Sequence, residues 1–225
     1  MLLIFSNDRF GFNAIRKSDL ETVRQIILKQ PELVNCVAKQ PPKKDDGQSP
    51  LQVALKTENN DIAEFLIDSG ADVNFIEEES CCNEWRTPVL HDAINCAVMQ
   101  SRWNSNGRDG FHVFSTKEKA SASLSILKKM IAAGADVNAL DSCGNSCLWR
   151  FTLQANQILP QYIYAEHREC DNCVFTTELH EDLRQILTAL RDAGADVNYK
   201  RPNRGAIRDV FREGSIAVLF KEVFG

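Results

Sequence analysis

The sequence lacks any apolar stretch that approaches the ~18 residues needed to cross a membrane. Its start, MLLIFSNDRF, has four apolar residues after Met1 and no basic residue before them, so it does not resemble the apolar core of a signal peptide. These absences favour a cytoplasmic protein. The eight cysteines are then expected to be thiols, with disulfides in a secreted product as the alternative.

Excess positive charge and the motifs of common enzymes are also missing. The formal net charge is −5, whereas a protein that binds the phosphate backbone of nucleic acids needs a basic face. There is no P-loop, no Rossmann glycine pattern and no G-x-S-x-G around a nucleophilic serine. We therefore expect no enzymatic activity, no cofactor, and neither nucleic acid, membrane nor small-molecule substrate as a partner.

The sequence does contain a motif that occurs three times. GADVN stands at 70–74, 134–138 and 194–198, so that the copies follow one another at nearly equal intervals. Apolar residues make up 44% of the chain, which is ordinary for a globular protein with a sizeable core. A motif that returns at a nearly constant interval indicates a repeat architecture.

The clearest repeating unit begins shortly before the first GADVN motif. Residues 47–54 read GQSPLQVA, which places Pro50 in the first turn of a helix, where its missing N–H costs nothing. Gly70 falls where the second helix must stop, a position that favours positive φ. The apolar face of that second helix consists of Ile62, Phe65 and Leu66. This segment resembles the ankyrin repeat, a β-turn plus two helices in about 33 residues, with the pattern G-x-T-P-L-H-x-A.

Altered copies of the same pattern follow. Residues 87–93 read TPVLHDA, with Val89 as one extra residue, and Cys147 stands where proline is usual in the next copy. The resemblance implies an all-α, ankyrin-like helical repeat solenoid of about five repeats in a single domain. The predicted parts are an N-terminal cap at 1–43, repeats at 44–76, 77–140 and 141–200, and a C-terminal cap at 201–225.

The spacing inside the repeats predicts two insertions. The interval from Pro50 to Gly70 has the length of an ordinary repeat, whereas the corresponding intervals, 88–134 and 147–194, are more than twice as long. Compared with a repeat of ordinary length, the third and the fourth repeat each have about 26 extra residues between their two helices, at about 98–120 and 156–177. A decayed whole repeat would add about 33 residues and a second turn signal, and neither segment contains one.

The insertions are expected to pack side by side, to offer binding surface, or both. Asparagines and glycines between 104 and 110 predict a loop, beside the apolar Trp103 and Phe111. In the second insertion, apolar residues between 158 and 163 predict that the preceding helix continues, with a kink at Pro160.

The two ends of the chain carry helix signals of their own. Ser18 and Glu21 predict a capping box that opens a helix. An apolar stripe at Ile216, Leu219, Phe220 and Val223 predicts the last helix. Terminal repeats of a solenoid are expected to be atypical.

One cluster resembles a metal site. His167, Cys170, Cys173 and His180 are close enough in sequence to enclose a tetrahedral zinc ion. We expect no metal and interpret the two cysteines as free thiols in a loop. A zinc-stabilised binding module is the alternative function.

The ankyrin resemblance also implies a protein-binding surface. In that family the fingers (the turn segments before each first helix) and the exposed sides of the first helices form a concave face that binds other proteins. Trp85, where glycine is usual, is either an anchor for a partner or a packing residue, on the neighbouring finger or in space left by the irregular turn. The predicted function is that of a non-catalytic inhibitor, immunity-type protein or scaffold that binds one partner through this face, the insertions or both. The candidate contact residues are Asp45, Gln48, Lys56, Glu84, Trp85, Arg86, Asn95, Trp103, Phe111, Asn145, Gln154, Tyr199, Arg201 and Arg204.

Overall fold

Helices form most of the regular structure of this protein. The computed structural model describes residues 4–6, 11–40 and 43–225, and 50% of the chain is helical. This content fits the predicted helical repeat fold. Within the described residues no helix combines the length and the apolar character of a membrane span. The α-helices are α1 (Phe12–Arg16), α2 (Leu20–Lys29), α3 (Pro50–Lys56), α4 (Asn60–Asp68), α5 (Val89–Met99), α6 (Lys117–Ala132), α7 (Cys147–Ala155), α8 (Thr177–Asp192), α9 (Ile207–Val210) and α10 (Gly214–Phe224).

Short strands pair between these helices. β1 (Ile4–Ser6) runs parallel to β2 (Val37–Lys39). Two antiparallel hairpins are formed by β3 (Asn104–Gly107) with β4 (Gly110–Val113), and by β5 (Tyr162–Ile163) with β6 (Arg168–Glu169). Two 3₁₀ turns cover Pro31–Asn35 and Lys43–Asp45.

The chain divides into two compact units. The first contains Met1–Ala93, Ile126–Asp136 and Asp141–Cys143, and the second contains Ile94–Ser125, Val137–Leu140 and Gly144–Gly225. Each unit has its own apolar core, in which a fully buried Leu or Phe contributes about 1.5–3 kcal/mol. Side chains with 2% exposure or less include Ile15, Leu51, Leu55, Ile62 and Leu66 in the first unit, and Trp149, Phe151, Leu183, Leu187 and Leu219 in the second.

The helix pair around the first GADVN motif forms as its sequence predicts. Ser49 caps α3 by accepting a hydrogen bond from the Gln52 N–H at 3.2 Å, while the Gln52 side chain accepts one from the Ser49 N–H at 3.2 Å. Pro50 is the first residue of that helix. After α4 ends, Gly70 has φ +88°, a left-handed conformation that glycine adopts without steric cost.

The two ends differ in how far the predictions hold. The C-terminal stripe is confirmed, since Ile216, Leu219, Phe220 and Val223 are all buried along α10. The capping box at Ser18 is wrong. The cap of α2 is Asp19, whose carboxylate accepts from the Thr22 N–H at 3.0 Å, while Ser18 has φ +57° and its hydroxyl bonds Asn59.

Each GADVN motif is bonded to an asparagine from earlier in the chain. The Asn74 amide donates to the Gly134 carbonyl at 3.0 Å and accepts from the Asp136 N–H at 2.8 Å. Asn138 makes the same two bonds to Gly194 and Asp196, at 3.2 and 3.1 Å. Asn35 makes them to Gly70 and Asp72, at 3.1 and 2.7 Å. We call these three equivalent pairs of bonds the asparagine ladder.

The segments predicted as insertions contain hairpins. Residues 104–107 and 110–113 pair as strands, so the predicted loop at 104–110 is wrong except for its short turn. The prediction that α7 continues past 156 is also wrong. It ends at Ala155, the following turn buries Ile158 and Leu159, and the β5–β6 hairpin comes next.

Candidate protein-binding surfaces

Backbone hydrogen bonds to Ser142 hold the finger that carries Trp85, while the indole is exposed to solvent. Arg86 donates its N–H to the Ser142 hydroxyl at 3.1 Å, and Ser142 donates its N–H to the Arg86 carbonyl at 3.0 Å. The Ser142 hydroxyl also donates to the Glu84 carbonyl at 3.2 Å. Trp85 remains 74% exposed. Of the two predictions for Trp85, packing on the neighbouring finger is therefore not what the structure shows.

A shallow depression lies beside this indole. It has a volume of about 430 Å³ and is lined by Lys43, Cys82, Asn83, Glu84 and Trp85. Asp46 stabilises its wall by accepting the Cys82 N–H at 2.9 Å. Partial burial raises the pKa of the Asp46 carboxyl, but hydrogen bonds from Cys82 and Gln40 lower it more, so that its pKa lies below the ordinary value. The carboxylate is thus held in its charged form.

Three of the predicted contact residues are buried. Asp45 is 2% exposed and forms an ion pair with Arg16, while Gln48 and Asn145 are 5% and 4% exposed. Their side chains are therefore not exposed to a partner. Lys56 is exposed on α3, but its ammonium lies 3.5 Å from Glu77 and 3.7 Å from Asp92.

The remaining candidates in the second unit differ in exposure. Tyr199 is half-buried and donates its hydroxyl to the Gly144 carbonyl at 2.9 Å, and the Arg201 guanidinium lies 5.7 Å from the ring centre of the buried Trp149. Arg204 is exposed, whereas Asn95 and Gln154 are half-buried. Of the two arginine candidates, Arg204 is therefore the one that is exposed to a partner.

The first hairpin presents apolar side chains. Trp103 stacks on Phe114 with ring centres 4.2 Å apart and donates its indole N–H to the Met99 carbonyl at 3.0 Å. Phe111, Val113 and Phe114 are 49%, 50% and 52% exposed. Sequence reasoning identified the apolar residues here but missed the strands that order them.

The two segments predicted as insertions contact each other. The Asn106 N–H donates to the Asn172 carbonyl at 2.7 Å. At the base of β3, the Arg102 guanidinium pairs with Asp182 at 2.7 Å, and this hydrogen bond raises the pKa of the guanidinium. Arg102 also donates its N–H to the same carboxylate at 2.9 Å.

An open groove in the second unit was not found from the sequence. It measures about 570 Å³ and lies along α10. Phe211 and Val218 give it an apolar wall, and Arg208, Arg212 and Lys221 give it a basic one. Residues 162 and 213, which are hydrogen-bonded to each other, also line it. Because these residues are far apart in sequence, no local pattern predicts the groove.

The zinc interpretation is corrected by the positions of the four side chains. The His167 Nδ1 lies 3.6 Å from Glu213, and the His180 Nε2 lies 2.7 Å from Glu222. Burial raises the pKa of Cys173, which disfavours the thiolate that zinc binds. Across residues 11–40 and 43–225, no three or more His, Cys, Asp or Glu side chains come together in a way that would hold a metal ion. The histidines face glutamates from other parts of the chain, a long-range pairing that motif spacing does not reveal.

Comparison with known proteins confirms the family resemblance over part of the chain. Residues 46–77 match the family model described as Ankyrin repeat. Ankyrin repeats generally mediate protein–protein interactions and are generally non-enzymatic. The chain is also 28% identical over 172 residues to a protein named Nuclear factor NF-kappa-B p105 subunit from Gallus gallus. That similarity covers 66% of this chain but 16% of the relative, so it concerns a small part of the larger protein.

Proposed function

We propose, on the premise of the ankyrin repeat at residues 46–77, that this chain is a non-catalytic binding module that captures a protein partner at Trp85. The 74% exposure of this indole, on a backbone tied to Ser142, supports the proposal most directly. A tryptophan presented on a fixed backbone loses little conformational entropy when it binds. Glu84 and Arg86 flank it with opposite charges that orient a partner.

The proposal includes the architecture that presents this surface. We infer about five repeats, with the β3–β4 and β5–β6 hairpins as insertions between the two helices of the third and fourth repeats. The asparagine ladder supports this inference, because two of its three pairs of bonds link successive GADVN motifs, one across the segment that contains β3 and β4 and one across the segment that contains β5 and β6. In this reading a single domain acts as an inhibitor or scaffold that binds one partner.

Affinity capture from the native source tests the role of Trp85. The bait is the chain with Trp85→Ala and Arg86→Ala, compared with the wild-type chain by quantitative mass spectrometry. We expect the protein enriched by the wild type to be lost from the variant, and its Kd, measured with the purified partner, to rise about 30-fold, equivalent to ~2 kcal/mol. The melting temperature should change little, because the indole is mostly exposed and the Arg86 guanidinium is paired with the exposed carboxylate of Glu79, in a surface ion pair of about 0–1 kcal/mol.

Leu28→Ala provides the matched control. Leu28 is a large apolar side chain on α2 with 77% exposure, so its removal reduces surface hydrophobicity without altering the finger. Capture should survive in this variant. Equal enrichment by the wild type and the Trp85/Arg86 variant would show that the partner binds elsewhere.

A further inference from the structure

The hydrogen-bond pattern of the first hairpin shows which way its backbone groups point. The Phe114 N–H donates to the Trp103 carbonyl at 2.9 Å, which makes these two residues a hydrogen-bonded pair. In an antiparallel ladder such pairs alternate with pairs that exchange no hydrogen bonds. Val113 pairs with Asn104 at the next position, and Phe111 pairs with Asn106 two positions further on, so both are pairs that exchange no hydrogen bonds. The N–H and C=O groups of Phe111 and Val113 therefore point away from β3.

The opposite edge of the hairpin is already paired. The Asn106 N–H donates to the Asn172 carbonyl, so it too points away from the partner strand, as the alternation requires. The Asn104 side chain donates to the Val174 carbonyl and accepts from the Val174 N–H, both at 2.8 Å. β3 therefore lies between β4 and residues 172–174, and β4 forms the open edge.

This open edge is apolar, and although β4 is only four residues long, it has, among the described residues, none of the other devices that protect an edge strand. All four residues of β4 are exposed, and Phe111 and Val113, two positions apart, lie on the same side of the sheet. Native proteins usually protect an exposed edge with lysine, proline, a bulge or an inward charge. The β4 sequence, Gly-Phe-His-Val, contains no lysine or proline and pairs with β3 without a bulge. In the described part of the chain, no loop or side chain bonds the outward N–H groups of Phe111 and Val113.

We propose that the edge of β4 binds an extended segment of a protein partner, which adds to the sheet as a further strand. Two outward N–H groups and two outward C=O groups supply its main-chain hydrogen bonds, and Phe111 and Val113 contact apolar side chains at alternate positions of the segment. The proposal rests on the protein-binding function above but uses a different surface from Trp85.

A second copy of this chain fits the edge less well. Antiparallel pairing centred on His112 would match Phe111 with Val113 of the other copy, so the hydrogen bonds alone do not exclude it. The exposed halves of Phe111, Val113 and Phe114 offer only about 300 Å² per copy. A stable interface between folded proteins needs about 800 Å² per partner. A short extended segment can bind through the main-chain groups and apolar side chains of the edge alone, without an interface of that size.

Selection of random phage-displayed peptides on the immobilised wild-type chain tests the proposal. Val113→Pro removes one outward N–H without touching the bonds between β3 and β4, because proline is tolerated on an edge strand. Val113→Thr is the matched control, since it keeps the N–H and the β-branched shape. We expect selected peptides to carry apolar residues at alternate positions and to bind Val113→Pro about tenfold more weakly, while Val113→Thr and Trp85→Ala bind them as the wild type does.

Amide hydrogen exchange provides the second readout. In the free chain the amides of His112 and Phe114 should exchange slowly and those of Phe111 and Val113 rapidly, and bound peptide should slow the latter two. If Val113→Pro loses protection at His112 and Phe114, the Phe111→Lys/Val113→Lys variant replaces it, because edge lysines oppose strand addition without removing an N–H.

Three outcomes would overturn the proposal. One is that no peptide is selected, or that the edge variants bind the selected peptides as well as Val113→Thr does. Another is that protection of Phe111 and Val113 rises with protein concentration in the absence of peptide, which would identify a second copy as the occupant. The third is that binding depends on Trp85 and not on Val113, which would leave the proposed function standing without the edge.

Discussion

At the scale of single residues, the ion pair between Asp45 and Arg16 links the first helix to the finger before α3. Asp45 is 2% exposed, and desolvation lowers the pKa of the Arg16 guanidinium. Each charge therefore compensates the desolvation of the other. Breaking a buried pair by removing one partner is costly because the other charge stays behind without water or a counter-charge.

Asp45→Asn should therefore destabilise the chain. We expect the free energy of unfolding to fall by about 2–3 kcal/mol, at or just below the lower end of the ~3–5 kcal/mol range for buried pairs, because the Arg16 side chain keeps some exposure to water. Urea denaturation at neutral pH measures this loss. Glu84→Gln, at an exposed carboxylate, should change the midpoint little. An unchanged midpoint for Asp45→Asn would mean that the pair makes no net contribution.

The same residues show what local sequence can and cannot predict at this scale. The GQSPLQVA pattern places Asp45 and Gln48 correctly in a finger and Trp85 in the next one. Their exposure depends on partners such as Arg16 and Ser142, which lie far outside the finger in sequence. A family pattern identifies the position of a side chain in an element, whereas its burial is decided by contacts that are distant in sequence.

At the scale of elements, the β5–β6 hairpin is held against the start of α10. Glu169 accepts hydrogen bonds from the N–H and the hydroxyl of Ser215, both at 2.6 Å, and so satisfies a first-turn N–H that has no partner within its own helix. Gly214 has φ +83°, and a Cβ there would lie 3.1 Å from both Glu169 and Tyr162. The close approach of the two elements therefore requires glycine.

The contact between Tyr162 and Glu213 makes this docking dependent on pH. The hydrogen bond to Glu213 raises the pKa of the Tyr162 hydroxyl from 10.0 to about 12. Because the pKa is higher in the folded chain than in the unfolded one, the stabilisation is fully present below about pH 10 and is lost as the pH rises towards 12. Tyr162→Phe removes the hydroxyl and should be less stable than the wild type at neutral pH.

Urea midpoints measured from pH 7 to 12 test this prediction. The difference between the wild type and Tyr162→Phe should shrink above pH 10. Tyr164→Phe is the control, because that hydroxyl donates to the backbone carbonyl of Val210 and has no carboxylate partner among the described residues. A difference that stays constant with pH would mean that Glu213 does not hold the Tyr162 proton.

The helices were predictable from sequence and the hairpins were not, for a physical reason. Helix signals such as Ser49-Pro50 and a following Gly70 act over a few residues, and they locate α3 and α4 well. The strand β3, Asn-Ser-Asn-Gly, has little strand propensity of its own. The strand β5 is only two residues long, and although its Tyr-Ile sequence favours a strand, apolar residues near 160 fit a helix equally well. What selects the hairpins is pairing across turns and, for β3, contact with residues 172–174, neither of which a periodic pattern contains.

At the scale of the whole molecule, the asparagine ladder explains why the GADVN motif ends in asparagine. Asn74 and Asn138 each reach forward to the next copy of the motif, and two pairs of ladder bonds lie in the first unit and one in the second. The repeat itself was visible in the sequence. The role of its last residue was not, because the partner backbone belongs to the next copy of the motif, far outside any local pattern.

Substitutions along the ladder should therefore have effects that depend on position. Asn74→Ala and Asn138→Ala each remove two hydrogen bonds and leave a carbonyl and an N–H without those partners, so we expect each to lower the free energy of unfolding by about 1–2 kcal/mol. Asn198 occupies the same place in the last motif, and within the described residues its side chain bonds no further copy. Asn198→Ala should therefore change the urea midpoint by less than either.

If all three variants behave alike, the asparagine contributes through its own turn and not through the next motif. If only the first two are destabilised, the ladder is a stabilising connection between successive repeats, and hydrogen exchange in α4 and α8 should show the loss in the unit that each bond supports.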